Sequence, residues 1–322
     1  MPLRRPTTRP DTPAIIRKID PALPGVDETL DEFASISLPR LQVGFPTQHL
    51  VMTLLGEHWT GRTDGVASSA LVDLLAPFGV GAAAARAALG RLAGRGALTL
   101  ERSGRTTAYR PTATLNALLG QGRAITATFA GPRTGWDGQW TVLSWSLTGA
   151  TAAPGHQLRQ RLRAHGFAPL LPGTWVSPDP PPPDLGPVLA AVEGLRYTVV
   201  RGADPPLAGA LSPAAAWDPE DMRPVYDEFI AAFGPAAAGR RRSLDTGEAL
   251  VTRTRAVYRW FVIASIDPDL PSELLPTRWP RARAREVFVA VADRLAPAAT
   301  EQARALLGPA HAPLVTTPVP YG

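Results

Sequence analysis

The stretch AAAARAALGRLAGRGALTLERSGRTTAYR, residues 82–110, combines an alanine-rich helix pattern, regularly placed arginines and a glycine-containing turn. Its first part predicts a helix from about residue 81 to residue 93, because alanine and leucine have high helix propensities. A helical projection predicts a buried stripe formed by Ala82, Ala85, Leu89, Leu92 and Ala93. The predicted outward positions are Ala83, Ala84, Ala87, Ala88 and Arg91, with Arg86 at the edge of the stripe. The exposed side of this helix is therefore expected to be small and basic.

Two amphipathic helices are predicted before this stretch, and a hairpin is predicted at its end. The strand-like runs ALTLE (97–101) and TTAYR (106–110) are joined by RSG (102–104), which has the composition of a hairpin loop. Upstream, one helix is predicted to begin with Thr47 as its N-cap and a second with Ser68 as its N-cap. Three helices followed by a hairpin predict a winged helix-turn-helix, in which the third helix enters the major groove of DNA.

The charge distribution favours an acidic partner. The net charge is +5 at pH 7, and between Gly79 and Arg110 six arginines stand against the single acid Glu101. Guanidinium groups bind phosphate oxygens and pair with O6 and N7 of guanine, while alanine methyls contact the thymine methyl. The predicted DNA-binding residues are Ser68, Ser69, Arg86, Arg91, Arg95, Arg102, Arg105, Thr106 and Tyr109. The alternative for any one arginine is a solvated position on an arginine-rich protein.

Composition excludes several kinds of chemistry. The chain has no cysteine, which excludes disulfides, thiol nucleophiles and Cys-ligated zinc. Its five histidines are scattered, and no HExxH, GxSxG, GxGxxG or Walker motif is present, so we expect no metal, no cofactor and no enzymatic activity. No run approaches the about 18 apolar residues of a membrane helix, and no secretion signal is evident. A cytoplasmic protein without a membrane partner is expected.

The chain as a whole predicts an α+β protein of several domains. The predicted ranges are a disordered arm over 1–40, the winged helix-turn-helix domain over 41–113, a linker over 114–135, a ferredoxin-like (Cas2-like) domain over 136–205, a helical C-terminal domain over 212–308 and a loose tail over 309–322. The ferredoxin-like prediction rests on alternating runs in the order βαββαβ. In the last domain a proline-rich elbow, DPDLPSELLPTRWP (267–280), precedes a helix, and TEQARALLG (300–308) is expected to be a separate short helix.

A ligand site is a second expectation, placed around aromatic and basic side chains. Tyr258 offers a ring for stacking and Arg259 a cation for phosphate, which suits an acyl-thioester ligand. The full candidate set is Trp175, Arg255, Tyr258, Arg259 and Trp279. The alternatives are that the tryptophans are core residues and that Arg259 pairs with Asp267 or Asp269.

With these residues laid out, the chain resembles the PaaX-like family of regulators, the phenylacetate-catabolism repressors. The matching stretches are LLGEHW, ALVDLLAPFGV, ARAALGRLAGRGALTLERSGRTTAYR, WDGQWTVL, LRAHGFAPLLPGTWVSP, VYDEF, DPDLPSELLPTRWP and ARAREVF, which together span about residues 45–308. The resemblance implies a winged-helix N-terminal domain, a Cas2-like ferredoxin-fold middle and a helical C-terminal domain. It also implies a homodimer on a palindromic operator of double-stranded DNA, released by an aryl-CoA thioester such as phenylacetyl-CoA.

The chain departs from the family pattern at the third helix, where Ala84 and Ala85 stand in place of a polar serine and a valine. Two alternatives to an aromatic-acid repressor remain at this point. One is a regulator of other genes with a different effector or none. The other is a nucleic-acid-processing enzyme, because Cas2 nucleases share the ferredoxin-like fold. Those nucleases carry a metal-binding aspartate at the end of the first strand, where this chain has Thr148 and Gly149.

Overall fold

The structure, a computed structural model of the chain, describes residues 46–322 except 63, 104–105, 134, 149–151, 205–208 and 240–243. The arm predicted over 1–40 lies outside these described residues. The described part comprises an N-terminal unit (46–128), a central unit (139–203) and a C-terminal unit (213–322). The first two units combine helices with a sheet and the third is helical, so the protein belongs to a mixed helix-and-sheet class.

The N-terminal unit packs four helices around a small sheet. Its elements are α1 (Thr47–His58), β1 (Val66–Ala67), α2 (Ser68–Leu75, continued by a 3-10 turn Ala76–Phe78), α3 (Ala82–Gly94), β2 (Leu98–Ser103), β3 (Thr106–Pro111) and α4 (Ala113–Thr128). The sheet is antiparallel with the order β1-β3-β2. The residues Arg102 and Ser103, predicted as loop, instead pair within the hairpin.

The starts of α1 and α2 differ from the predicted caps. Pro46 and Ala67 occupy the N-cap positions, and neither helix has a side-chain cap hydrogen bond. Thr47 and Ser68 are therefore the first helical residues, which corrects the prediction that they are caps. Pro46 suits this position because proline lacks the N–H donor that a helix start leaves unpaired.

The buried stripe of α3 is rotated relative to its prediction. The buried residues are Ala85, Ala88, Leu89 and Leu92, whereas Ala82 is exposed. Ala82 was predicted to be buried but is exposed, and Ala88 was predicted to be exposed but is buried. The stripe follows the i, i+3, i+4, i+7 spacing from Ala85, because that set faces the leucines of α1 and α2.

The predicted linker over 114–135 is wrong for most of its length, because α4 occupies it. The helix is capped by Thr112, whose Oγ1 accepts a hydrogen bond from the Leu115 amide at 3.2 Å. Leu115 is fully buried in the core of the N-terminal unit. Gly122 lies against α8, where an added Cβ would be 3.5 Å from the Phe261 ring. A Cβ at that distance would make ordinary van der Waals contact, so the packing of α4 on α8 does not itself require glycine at this position.

The central unit is a four-stranded antiparallel sheet with two helices. Its elements are β4 (Gln139–Leu147), α5 (Ala152–Ala164), β5 (Ala168–Leu171), β6 (Thr174–Ser177), α6 (Leu185–Ala190) and β7 (Leu195–Ala203). The strand order is β5-β6-β4-β7, with every neighbouring pair antiparallel. Leucines of both helices pack with Leu143 and Trp175 in one hydrophobic cluster, which places α5 and α6 on the same face of the sheet.

The C-terminal unit is helical, as predicted, but its last helix is longer. Its helices are α7 (Arg223–Ala237), α8 (Thr246–Ile266) and α9 (Arg281–His311), with 3-10 turns at Pro213–Ala216, Pro219–Met222, Ser272–Leu274 and Ala312–Leu314. The separate short helix predicted over 300–308 is part of α9, which is continuous through Pro297. Ala296 and Ala299 are buried on both sides of that proline, so packing holds the helix across the lost backbone hydrogen bond. The helix breaks only at Gly308, whose φ is 71°.

The predicted loose tail over 309–322 is also wrong. Val315 and Tyr321 are buried, and they belong to the hydrophobic clusters of the N-terminal and C-terminal units respectively. The cluster of the N-terminal unit also contains residues of α8 and α9, namely Leu250, Ala299, Ala303 and Leu307. The first and last units therefore share one hydrophobic core.

No single described helix is long and apolar enough to cross a membrane. Ser68–Phe78 and Ala82–Gly94 reach that length and apolarity only as a pair, which is bent by 119°.

Candidate nucleic-acid interface

The exposed face of α3 carries two arginines on a surface of small side chains. Arg86 and Arg91 are exposed, and so are the neighbouring positions Ala83, Ala84 and Ala87. Within the described part of the chain, neither guanidinium group forms an ion pair or hydrogen bond. Both guanidinium groups thus keep all their donors available for an external acceptor.

The turn before α3 presents this face away from the core. The chain axis bends by 119° between α2 with its 3-10 turn and α3. Gly79 makes the bend with a φ of 79°, a left-handed conformation that glycine adopts without strain. Two helices meeting at such an angle through a glycine turn are typical of helix-turn-helix units. At the start of α2, Ser69 is exposed and Ser68 is half-buried.

The hairpin β2–β3 adds a second polar surface. Arg102 and Thr106 are exposed and line an open depression together with Glu101 and Ala108. Glu101 pairs with Arg110 across the hairpin at 2.8 Å, so the negative charge of the one acid in the basic block is compensated by a neighbouring arginine. The predicted site residue Arg105 lies outside the described residues.

Two predicted DNA-binding residues are less available than expected. Tyr109 is buried in the core of the N-terminal unit, because β3 turns this position inward between Ala108 and Arg110. The prediction that its side chain contacts DNA is therefore corrected. Arg95 is half-buried at the C-cap of α3, where its amide donates to the Ala93 and Arg91 carbonyls.

The residues predicted for a ligand site lie in separate environments. Trp175 is 3% exposed in the core of the central unit, with the Arg163 guanidinium 5.4 Å above its ring. Tyr258 is also 3% exposed, and its ring centroid lies 5.7 Å from that of His49 in α1. Both side chains are therefore core residues in this conformation, which favours the alternative given for Trp175 above.

The remaining candidates lie nearer the surface of the C-terminal unit. Arg255 is exposed, and Arg259 pairs with Glu228 of α7 at 3.2 Å. The alternative pairing of Arg259 with Asp267 or Asp269 is wrong, since Arg281 contacts both carboxylates, at 3.6 Å and 3.1 Å. Trp279 is half-buried between the Tyr226 ring, at 6.0 Å, and the Arg223 guanidinium, at 4.8 Å.

The described residues contain no cluster of side chains that could bind a metal ion. No group of three or more histidine, cysteine, aspartate or glutamate side chains there is placed to hold a metal ion.

Family models match the chain in three consecutive blocks that cover most of its length. Residues 46–115 match the PaaX-like protein model, residues 133–206 the PaaX protein central Cas2-like domain, and residues 217–305 the PaaX-like protein C-terminal domain. The chain belongs to the PaaX-like family. The resemblance inferred from the sequence motifs is thereby confirmed.

The chain is also similar to one repressor in sequence and to one solved structure in fold. It is 29% identical over 261 residues to the transcriptional repressor PaaX of Escherichia coli (strain K12), covering 78% of this chain and 80% of the relative. An uncharacterized protein, Rv0674, from Mycobacterium tuberculosis has a similar structure with a TM-score of 0.51. That comparison covers 80% of this chain and 97% of the other at 24% identity, so it speaks to the fold alone.

Sequence reasoning missed a buried polar cluster in this PaaX-like chain. Glu57, in the last turn of α1, forms a buried ion pair with Arg253 of α8 and contacts Arg123 of α4 at 3.4 Å. Burial raises the pKa of the Glu57 carboxyl, but Arg253, the hydroxyl of Tyr321 and other nearby groups outweigh burial and hold that pKa below its usual range. Glu57 and Arg253 are 196 residues apart in the chain, so no local pattern could reveal their pairing.

Next to Glu57, His58 is buried as well. Its Nδ1 lies 3.4 Å from the Thr316 carbonyl oxygen, and burial lowers the pKa of His58 to about 4, with Glu57 opposing that shift. The imidazole is therefore neutral at neutral pH.

Proposed function

We propose that the chain is a sequence-specific, DNA-binding transcriptional repressor whose N-terminal unit is a winged helix-turn-helix. The observation that carries this proposal is the exposed face of α3, where the guanidinium groups of Arg86 and Arg91 have no partner among the described residues and stand on a surface of alanines. The 119° bend before α3 and the β2–β3 hairpin after it support the proposed class. Membership of the PaaX-like family, with a repressor among the relatives, supports the proposed role.

In this proposal α3 lies in the major groove and the hairpin contacts the backbone. Arg86 and Arg91 bind guanine edges or flanking phosphates, and the small side chains between them let the helix approach the bases closely. Arg102 holds a phosphate from the hairpin, and the exposed Ser69 is placed for a phosphate contact from the start of α2.

The central unit is proposed to be a ferredoxin-like domain. Its βαββαβ order, its strand arrangement β5-β6-β4-β7 and the match to a Cas2-like domain support this class. The proposed assembly is a homodimer on a palindromic operator, an expectation carried by the family resemblance. A repressor acting on DNA works in the cytoplasm, and no enzymatic step is proposed.

An aryl-CoA thioester is the proposed effector that releases the protein from DNA, and aromatic-acid catabolism is the proposed target. Support for both comes from the resemblance to the PaaX-like family. The exposed Arg255 and the half-buried Trp279 stay in the candidate effector site, since both retain accessible surface, whereas Trp175 and Tyr258 would need a change of conformation to touch a ligand.

The test is equilibrium binding to the DNA upstream of the protein's own gene at fixed moderate salt. We expect tight binding to a specific sequence, loss of that binding for Arg86→Ala, and no loss for Arg196→Ala, which removes an exposed arginine of the central unit. Binding of equal strength to random DNA would refute sequence-specific recognition. Release on adding phenylacetyl-CoA supports the aryl-CoA effector, and specific binding indifferent to it leaves a regulator with another effector or none.

A further inference from the structure

Glu57 is a point where three separate parts of the chain meet. One carboxylate oxygen, Oε1, accepts a hydrogen bond from the Tyr321 hydroxyl at 2.7 Å and lies 3.4 Å from Nη1 of Arg123. The other, Oε2, accepts from Nη1 of Arg253, whose Nε donates to the Ala292 carbonyl at 2.8 Å. Both carboxylate oxygens are therefore held by donors that come from outside the helix carrying them.

Tyr321 belongs to residues 315–322, here called the C-terminal strap, which is held at several points. The Thr316 amide and hydroxyl both donate to the His58 carbonyl at 2.9 Å. Arg123 donates to the Val319 carbonyl and stacks over the Tyr321 ring at 4.5 Å. At its end the Tyr321 and Gly322 amides donate to the two carboxylate oxygens of Asp293, at 2.9 Å and 3.2 Å.

These contacts connect the N-terminal unit to the C-terminal unit. His58 and Glu57 end α1, whereas Asp293 and Ala292 lie in the middle of α9. The strap thus joins the end of α1 to α9 directly, and through Glu57 also to α8.

Stability alone does not account for a buried ionic cluster at this junction. The two units already share a hydrophobic core, and burying an ion pair costs desolvation comparable to the attraction it gains. What hydrogen bonds add beyond apolar packing is direction, because they weaken steeply when their angle changes. A carboxylate held on both oxygens therefore fixes the orientation of the helix that carries it.

We propose that Tyr321, acting through Glu57, is a positioning residue that sets the orientation of the DNA-reading helix α3 relative to the C-terminal unit. The step from Glu57 to α3 is short, because α1 packs directly on α3, and Leu50, Leu54 and Leu89 of these helices belong to one hydrophobic cluster. The proposal rests on the proposed function, in which α3 lies in the major groove. In a homodimer, the orientation of α3 in each copy sets the distance between the two half-sites it reads.

The first test measures position without DNA. The chain has no cysteine, so Asp73→Cys in α2 and Asp227→Cys in α7, both exposed, give two unique sites for spin labels. We expect the distance distribution between the labels to broaden or shift in Tyr321→Phe and to stay unchanged in Tyr197→Phe, a matched control on the exposed tyrosine of β7. A Tyr321→Phe distribution that superimposes on that of the unsubstituted chain overturns the proposal.

The second test uses double-stranded DNA selected from a random library by the unsubstituted protein, then remade with the half-site spacing changed by one base pair. The ratio of affinities for the two spacings should fall by about fivefold or more in Tyr321→Phe, the lower end of couplings measured between distant sites. A merely structural role lowers the folded fraction and weakens both spacings equally, and that result refutes positioning. Failure to select any sequence refutes the proposed function instead, while the label distances still decide the role of Tyr321.

Discussion

The buried His58 gives a stability prediction whose size follows from its surroundings. In the folded chain it is 0% exposed and its pKa is lowered from 6.5 to about 4 by burial, with the Arg253 and Arg304 charges acting in the same direction and Glu57 against it. Between these two values the unfolded chain binds a proton that the folded chain does not. The contribution of His58 is therefore fully present above about pH 6.5 and is lost as the pH falls toward 4.

The difference between the pKa of His58 in the unfolded chain and in the folded chain determines how the free energy of unfolding changes with pH. Between about pH 7.5 and about pH 5, the free energy of unfolding should fall by about 2 kcal/mol on account of His58 alone. The assay is urea unfolding at several pH values for the unsubstituted chain, for His58→Asn and for His156→Asn, a control at an exposed histidine. His58→Asn lowers the stability at every pH through lost packing, so the pH dependence is the quantity to compare.

We expect the fall between about pH 7.5 and about pH 5 to shrink by about 2 kcal/mol in His58→Asn and to be kept in His156→Asn. Equal pH dependence in all three proteins would refute the reasoning, because it would mean that His58 takes up its proton as readily in the folded chain as in the unfolded one.

Three further predictions concern DNA. Arg91→Ala should cost roughly 1–3 kcal/mol on the selected operator and relax specificity at one base position, measured by competition binding; equal losses on operator and random DNA would contradict base contact. Arg102→Ala should weaken binding to all sequences similarly and lower the slope of log affinity against log salt by about one unit in a salt titration, and an unchanged slope would argue against a phosphate contact. Ala87→Leu, at an exposed position, should leave the unfolding free energy within about 0.5 kcal/mol yet weaken operator binding, and unaltered affinity would mean that α3 does not lie in the groove.

Local sequence patterns predicted the elements around α3 but not their exact facing. Alanine and leucine propensity placed the helix, yet the burial of Ala88 instead of Ala82 depends on which side of α3 faces the leucines of α1 and α2. Tyr109 is a similar case. Strand alternation leaves two equivalent faces, and only the packed core decides which one is inward.

Elements interrupted by glycine or proline were harder to predict. Gly120 and Gly122 in α4, and Pro297 in α9, read locally as breaks, but tertiary packing carries both helices through them. The polar cluster at Glu57 was beyond any local reading, because Tyr321 is 264 residues away along the chain. The proposed DNA surface on α3 was predictable since it consists of neighbours in sequence.

The hydrophobic core shared by the first and last units has a consequence for how such proteins diversify. A DNA-binding domain with a complete hydrophobic core of its own can be exchanged between proteins, because only a flexible linker connects it to the rest of the chain. In this protein, Leu250 of α8 and Leu307 of α9 complete the hydrophobic core of the N-terminal unit. Transfer of the N-terminal unit alone to another protein would expose apolar surface on that unit and on the C-terminal unit left behind. New operator preferences in this architecture are therefore expected to arise by substitutions on the exposed face of α3, without exchange of the whole N-terminal unit.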